Sequence, residues 1–366
     1  MKHNTKTNKQ PLIHITKRGE LPMKQAILIR AIAIVAGLIF SSLIVMIMAG
    51  ENPFKVFASM FSGAFGTSRR IWNLLNETTI LLGISLAVTP AFKMKFWNCG
   101  AEGQTLIGGL VTATCMYFIG DSVPLPILFI IMIVASVMAG AIWSIIPSIF
   151  KAFFGTNETL FTLMMNYIAI QVVSFCLKSW VKSGSGVLTT MPQFRFPKIF
   201  GQEHLLSIIV IALVCAAMYV YLKYSKQGYE ISVVGESEKT AKYIGINVKN
   251  VIIRTMIVSG AICGLVGLLL VANGSCTIST DIVGGRGFTA IMVSWLAKFN
   301  PLIMILTSLL IAFLSRGCAQ IATDLRLSTA LGDIVTAIIL LFIIGCEFFI
   351  NYKIHFRKSA KEGFDK

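Results

Sequence analysis

Charge is scarce in this chain: charged residues make up 13% of 366, about half the usual globular share. Acid is scarcer than base, with 16 Asp and Glu against 32 Lys and Arg. The four histidines (His3, His14, His204, His355) are isolated in tails or loops. The eight cysteines (Cys99, Cys115, Cys176, Cys215, Cys263, Cys276, Cys318, Cys346) are scattered through apolar runs. No CxxC or Cys/His cluster occurs, which excludes a disulfide framework and a zinc site. No GxxxxGK[ST] is present to cradle ATP phosphates, and no HExxH or GxSxG to carry hydrolysis. Catalysis within the chain is therefore not expected, and neither a cofactor nor a metal is implied. A cleavable signal peptide is not evident. About 25 polar and basic residues come first, and the apolar run behind them is too long for a signal h-region.

What the chain has instead is apolar length. Hydrophobic residues are 55% of the total, and the mean hydropathy is +0.78. A water-soluble core cannot absorb that much apolar surface, so lipid must cover it. With roughly 20 apolar residues needed to cross a bilayer, about ten membrane segments are predicted, near 27–49, 74–92, 100–119, 125–150, 158–177, 205–222, 251–272, 286–298, 301–321 and 330–350. The expected class is an all-α polytopic membrane protein with a tail over 1–26, a membrane domain over 27–350 and a second tail over 351–366. The segment at 286–298 is short and glycine-led, which fits a half-helix or re-entrant piece.

The net charge of +16 does not point to nucleic acid, because the cations have little aromatic interleaving. They cluster in the N-terminal tail (Lys2, Lys6, Lys9, Lys17, Arg18, Lys24), the C-terminal tail (Lys353, Arg357, Lys358, Lys361) and a connector near 223–250 (Lys223, Lys226, Lys239, Lys242, Lys249, Arg254). The positive-inside rule puts all three in the cytoplasm. That requires an even number of crossings, and ten satisfies it. The loop at 178–204 conflicts, since it then falls outside yet carries Lys178, Lys182, Arg195 and Lys198. Its Gly184, Gly186, Pro192 and Pro197 read as an ordered or flexible external loop.

A faint internal repeat supports two inverted five-helix halves. Cys99–Gly109 (CGAEGQTLIGG) aligns with Val283–Val293 (VGGRGFTAIMV), matching Gly100 to Gly284, Gly103 to Gly287, Thr105 to Thr289 and Ile107 to Ile291. An offset of five spans inverts direction, as in inverted-topology repeats.

Polar residues inside such segments line a path, pair with each other or cap helix ends, because an ionised group at the bilayer centre costs at least ~2.5 kcal/mol. The candidates for a translocation pathway are Asn98, Glu102, Gln104, Asn157, Glu158, Asn166, Tyr167 and Arg286. Glu102 lies between glycines in WNCGAEGQ. It reads either as a pathway residue at an exposed half-helix N-terminus or as a first-turn acid satisfying the helix dipole. Asn157 and Glu158 read as an N-cap and first-turn acid, or with Asn166 and Tyr167 as a polar stripe facing a base- or hydroxyl-bearing solute. Arg286 matches Glu102 under the repeat and is expected either to pair with it or to be an external-loop charge. Glu77 and Glu347 are expected near an interface. Gly260, Gly264 and Gly267 form a small-residue packing face.

One polar stretch stands apart. Gly235–Asn247 (GESEKTAKYIGIN) lies between long apolar runs, so it must face water, and it has the length and charge to dock on a soluble partner. An ATP-independent secondary transporter or channel would have no need of it.

Four stretches resemble one family. FWNCGAEGQTLIGG, GTNETLFTLMMNYIA, GYEISVVGESEKTAKYIGINVKNVIIRTMIVSGAICGLVG and GRGFTAIMVSWLAKFNPL resemble, in order and at similar spacing across roughly 74–350, motifs of permeases in the branched-chain amino acid/ribose ABC importer superfamily. The simple-sugar/nucleoside uptake branch is the most similar. The resemblance implies a type II importer of the vitamin-B12-permease kind in a bacterial plasma (inner) membrane, with both termini cytoplasmic. It implies three kinds of partner: an ATP-binding subunit, a second and non-identical permease, and a substrate-binding lipoprotein or periplasmic protein. It places ATPase coupling at Glu236, Glu238, Ala241, Tyr243 and Gly245. The chain departs from the pattern at Trp97 and Cys99, and at Trp295 and Lys298, where small residues and a second glycine are usual.

Overall fold

The computed structural model describes residues 13–18, 22–50, 52–181, 186–324 and 329–356. The tail cations Lys2, Lys6, Lys9, Arg357, Lys358 and Lys361, and Lys182 and Gly184 of the 178–204 loop, lie outside them. Two compact bodies make up the chain, one of Met1–Ala64 with Leu314–Lys366 and one of Phe65–Phe313.

In the smaller body, α1 (Met23–Ala49) packs on α13 (Thr329–Asn351). Arg30 and Glu347 form an ion pair of 2.6 Å between them. A short helix, α2 (Pro53–Phe65), lies against the last turns of α12 (Pro301–Asp324), where Gly317 leaves room for Met60 and Gly63 for Gln320. At its 13 residues α2 fell below the length by which spans are recognised. Strand β1 (Ile13–Lys17) pairs antiparallel with β2 (Tyr352–Phe356). These two short strands within the expected tails were not foreseen. Their pairing brings the start of α1 and the end of α13 together on one side, which demands an even number of crossings between them.

The larger body contains α3 (Ser68–Lys93), α4 (Ala101–Phe118), α5 (Leu125–Phe154), α6 (Glu158–Trp180), α7 (Leu205–Tyr224), α8 (Lys226–Glu236), α9 (Glu238–Tyr243), α10 (Val248–Leu268, extended by a π-helical stretch to Ser275) and α11 (Arg286–Leu296). Helix α10 is its hub, packed on α5, α4 and α3. The small-residue face works as the sequence predicts. Gly260 meets Gly140 and Ser144, Gly264 meets Ser136 and Gly108, and Gly267 meets Thr105. A Cβ at any of these would strike the neighbouring backbone, so close van der Waals approach holds the helices where lipid supplies no hydrophobic drive.

Among the described residues eight helices are long and apolar enough to cross a membrane. The protein is therefore all-α and polytopic, but two of the ten expected spans fall short. Helix α4 is not among the eight, and α11, with 11 residues, reaches only about 16 Å against a hydrocarbon core of ~30 Å. The segment at 286–298 is thus a half-helix. Both start after an irregular stretch: residues 94–100 before α4 and 276–285 before α11. Non-helical backbone at membrane depth is stable only where protein buries it or water reaches it, so these two breaks mark the interior of the bundle.

Within 186–204 the 178–204 loop is held to the stretch near 272–278. Leu188 N–H donates to Ile278 O at 3.1 Å and Met191 N–H to Cys276 O at 2.8 Å, and Phe194 and Phe196 are buried. Its cations are largely compensated. Glu203 pairs with Lys198 at 2.7 Å and with Arg195 at 3.1 Å. The Lys198 hydrogen bond, with the Arg195 and Lys198 charges, holds the Glu203 carboxyl below the usual carboxylate range. Lys178 sits in the last turn of α6, where a cation suits the helix dipole. These pairings lower the net positive charge that the loop presents.

Candidate functional site

Helices α4 and α11 meet N-terminus to N-terminus. Each start leaves backbone N–H groups without intrahelical partners, and Glu102 serves both ends. It sits in the first turn of α4, while its carboxylate accepts from Gly285 N–H at 2.8 Å and Gly287 N–H at 2.7 Å at the start of α11. Gly285 has φ +74°, a left-handed conformation that glycine adopts without strain. A side chain at Gly287 would strike Glu102 itself. One carboxylate thus satisfies the positive ends of two helices.

The repeat led to the expectation that Arg286 pairs with Glu102 or is an external-loop charge; the structure corrects both. Arg286 opens α11 and forms a bidentate pair with Glu77 of α3, with both nitrogen–oxygen hydrogen bonds at 3.0 Å. It also donates to Val283 O at 2.9 Å. Glu102 is already occupied by backbone amides, which leaves the guanidinium to the next carboxylate. Glu77 is therefore part of this site rather than an interfacial bystander. An acid nine residues inside a largely apolar helix, with an arginine elsewhere in need of a counter-ion, was the available signal.

Polar side chains clamp the 94–100 break. Asn98 Oδ1 accepts from Gly100 N–H at 3.0 Å, and Asn98 Nδ2 donates to Ser259 Oγ at 3.1 Å. Gln104 Nε2 donates to Asn98 Oδ1 at 3.2 Å. Asn166 of α6 accepts from Gly103 N–H at 2.9 Å and donates to Cys99 O at 2.8 Å. Thr162, one turn earlier, accepts from Cys99 N–H at 3.2 Å. Asn98, Gln104 and Asn166 are buried and turned toward these partners, so they support the break. Ser259 and Thr162 were missed because hydroxyls inside apolar helices usually bond their own backbone.

The remaining candidates separate from this cluster. Asn157 is an N-cap that accepts from Leu160 N–H at 3.2 Å, and Glu158 pairs with Lys151 at 2.8 Å. Tyr167 does not share the face of Asn166: it is 64% exposed while Asn166 is buried. A polar stripe joining them does not form, because successive helix positions point about 100° apart.

The connector folds into two short helices, α8 and α9. Ser225 caps α8, accepting from Gly228 N–H at 2.9 Å. Ser237 caps α9, accepting from Thr240 N–H at 3.2 Å. Gly245, at φ +85°, turns the chain out of α9, as a C-terminal glycine does. Tyr243 is 92% exposed, whereas Ala241 is buried. Ala241 is therefore a packing residue rather than a docking contact. It lies in a cluster with Ile231, Val234, Val248, Val251, Ile252 and Met256, and also with Ala91, Met94 and Phe96. The polar connector is thus seated on the end of α3 and on the first residues of the break that leads to Glu102. Gly235 lies against the Lys93 carbonyl, where a Cβ would clash.

The sequence model of the family described as branched-chain amino acid transport system / permease component matches residues 70–344. The chain is 28% identical over 331 residues to the guanosine ABC transporter permease protein NupP of Bacillus subtilis (strain 168), covering 87% of this chain and 92% of that one. It is 27% identical over 355 residues to the nucleoside ABC transporter permease protein NupB of Lactococcus lactis subsp. cremoris, covering 92% and 95%. It is 25% identical over 327 residues to the glucose ABC transporter permease protein TsgB13 of Haloferax volcanii, covering 85% of each. No solved structure matches the chain. With the match spanning both broken helices and the connector between them, the chain belongs to the branched-chain amino acid transport system / permease component family, a family of non-enzymatic membrane subunits of ABC transporters.

Proposed function

We propose that this chain is the pathway-forming permease subunit of an ATP-driven importer for nucleosides or simple sugars. The solute class rests on what the relatives are named for: guanosine, nucleosides and glucose. Membership in an ABC permease family implies an ATPase and a substrate-binding protein as partners. The finer assignment is a second, non-identical permease beside this one, a binding lipoprotein or periplasmic protein on the outer face, and cytoplasmic ends in a bacterial plasma membrane.

The observation that carries the reading is the seating of α8 and α9. Their outer face offers Glu238 and Tyr243 to water, while their inner face is welded to the 94–100 break through Ala241, Met94 and Phe96. A soluble engine pressing on that face would move the broken helix directly. Glu236 and Gly245 then shape the surface, ending α8 and turning the chain after α9.

The test changes the exposed face alone. Glu238→Lys with Tyr243→Ala leaves the buried cluster intact, so membrane insertion is expected to persist. Co-purification of the ATPase subunit and solute uptake are both expected to fall at least about tenfold, the loss typical of removing one well-buried contact residue. Full ATPase association in this variant, or uptake by cells lacking the ATPase subunit, refutes the assignment.

A further inference from the structure

We propose that Trp97 and Trp295 form an aromatic gate that stacks on the planar base of a passing nucleoside. The inference deepens the importer reading and rests on it. The two indoles come from the two broken elements, Trp97 from the 94–100 stretch and Trp295 from the last turn of α11. Their ring centroids lie 5.4 Å apart with planes tilted 38°. Phe92 backs both edge-on, at 5.6 Å and 6.5 Å, and Phe299 extends the cluster at 6.2 Å from Trp295. Phe92 is buried, but Trp97 and Trp295 remain 44% and 50% exposed.

Lipid is the wrong neighbour for these surfaces. Trp97 stands on non-helical backbone, which hydrocarbon does not tolerate. Its neighbour Asn98 is bonded to Ser259, about 16 Å along α10 from its start. Trp295 is followed by the exposed Lys298 and by left-handed turns at Lys298 and Phe299. The open faces therefore border a wet passage. Neither indole N–H has a hydrogen-bond partner among the described residues.

The chemistry selects the occupant. Two flat π faces with two free N–H donors match a ring that has its own π face and in-plane oxygen and nitrogen acceptors, which is a nucleobase. A simple sugar has hydroxyls but no π face. In this state the indoles touch each other, so no slot is open, and a base enters only when they part. The parts that would move them lie next to the two indoles. Phe96, one residue before Trp97, lies in the cluster beneath α9. Ser294, one residue before Trp295, is hydrogen-bonded to Thr89 of α3 at 2.9 Å. Displacement of the connector thus reaches both indoles, Trp97 through Phe96 and Trp295 through the end of α3.

The test uses cells carrying the complete importer, with radiolabelled guanosine, uridine and glucose as probes. In such systems a separate binding protein sets half-saturation, so the gate is read in maximal rate. Trp97→Ala and Trp295→Ala are expected to lower maximal guanosine uptake about tenfold, the loss of one base–aromatic stack. The drop should be smaller for uridine and absent for glucose. Trp97→Phe and Trp295→Phe keep the π face and should stay within about threefold of the parent protein, which excludes misfolding as the cause. Unchanged guanosine rates in both alanine variants overturn the gate, as does an equal loss for guanosine and glucose or a parent importer that carries glucose and no nucleoside. Only uptake of neither solute class by the parent protein also removes the importer reading.

Discussion

Glu102 is held by geometry rather than by an opposite charge. Its two oxygens answer two backbone amides of α11, and the cation that the repeat pairs with it turns instead to Glu77. Both members of that ion pair are about a quarter exposed, at 28% and 23% of the side chain. Removing one takes from the other its oppositely charged partner at a partly buried position, a loss of about 1–3 kcal/mol once solvent screening is allowed for. Glu77→Gln and Arg286→Met are each expected to lower the thermal stability of the detergent-purified protein. Exchange of the pair, Glu77→Arg with Arg286→Glu, should restore much of it, while Glu102→Arg with Arg286→Glu should not. Rescue by the second exchange and not the first, followed by fluorescence-detected unfolding, would revive the pairing that the repeat implied. Local chemistry at this scale was legible. Asn157 and Glu158 cap α6 and answer its dipole as their order in the sequence predicts, because a cap needs only its own next three residues. The partners of Glu102, Asn98 and Asn166 were not legible, because each bond joins segments separated by a break whose direction no local pattern encodes.

Among the elements, α8 and α9 carry the mechanical role proposed above. A polar connector was evident from composition alone, since GESEKTAKYIGIN has nothing to bury in lipid. Its division into two helices follows from Ser237, whose side chain caps α9 just where α8 ends. Its attachment to α3 depends on Gly235, whose missing Cβ lets the chain touch the Lys93 carbonyl. Gly235→Ala forces that contact apart, at about 1–3 kcal/mol for overpacking a close site. Uptake is expected to fall at least severalfold while ATPase co-purification stays normal, since the docking face is untouched. Loss of both together would show that the connector merely docks and does not transmit. Helices α4 and α11 were predicted as spans; α11 proves too short at 11 residues, and α4, although 18 residues long, is not among the helices long and apolar enough to cross. Hydropathy counts apolar residues and is blind to where backbone hydrogen bonds are interrupted. The glycines before each helix were the visible warning.

Across the whole chain, the pairing of β1 with β2 sets a parity. Both strands flank the outermost helices, so residues near 13–17 and 352–356 share one side of the membrane. Cysteine-accessibility labelling at Lys17 and Lys353 is expected to report the same side, and opposite sides would exclude the strand pairing. The side predicted is the cytoplasmic one, from the basic tails and connector. The loop at 178–204 that seemed to oppose this orientation carries Arg195 and Lys198 tied to Glu203.

The amino-acid order alone was enough to identify the solvent this protein lives in, its family and its polar connector. Each is a property of composition or of contiguous motifs, and the transfer energy of an apolar segment does not depend on what folds beside it. Only the tertiary structure decided which groups complete the site: Glu102 with amides 183 and 185 residues away, Arg286 with Glu77, and Trp97 with Trp295. Those pairings arise where two interrupted helices turn back into the bundle. There a buried polar or aromatic group takes whichever partner the packing brings within reach.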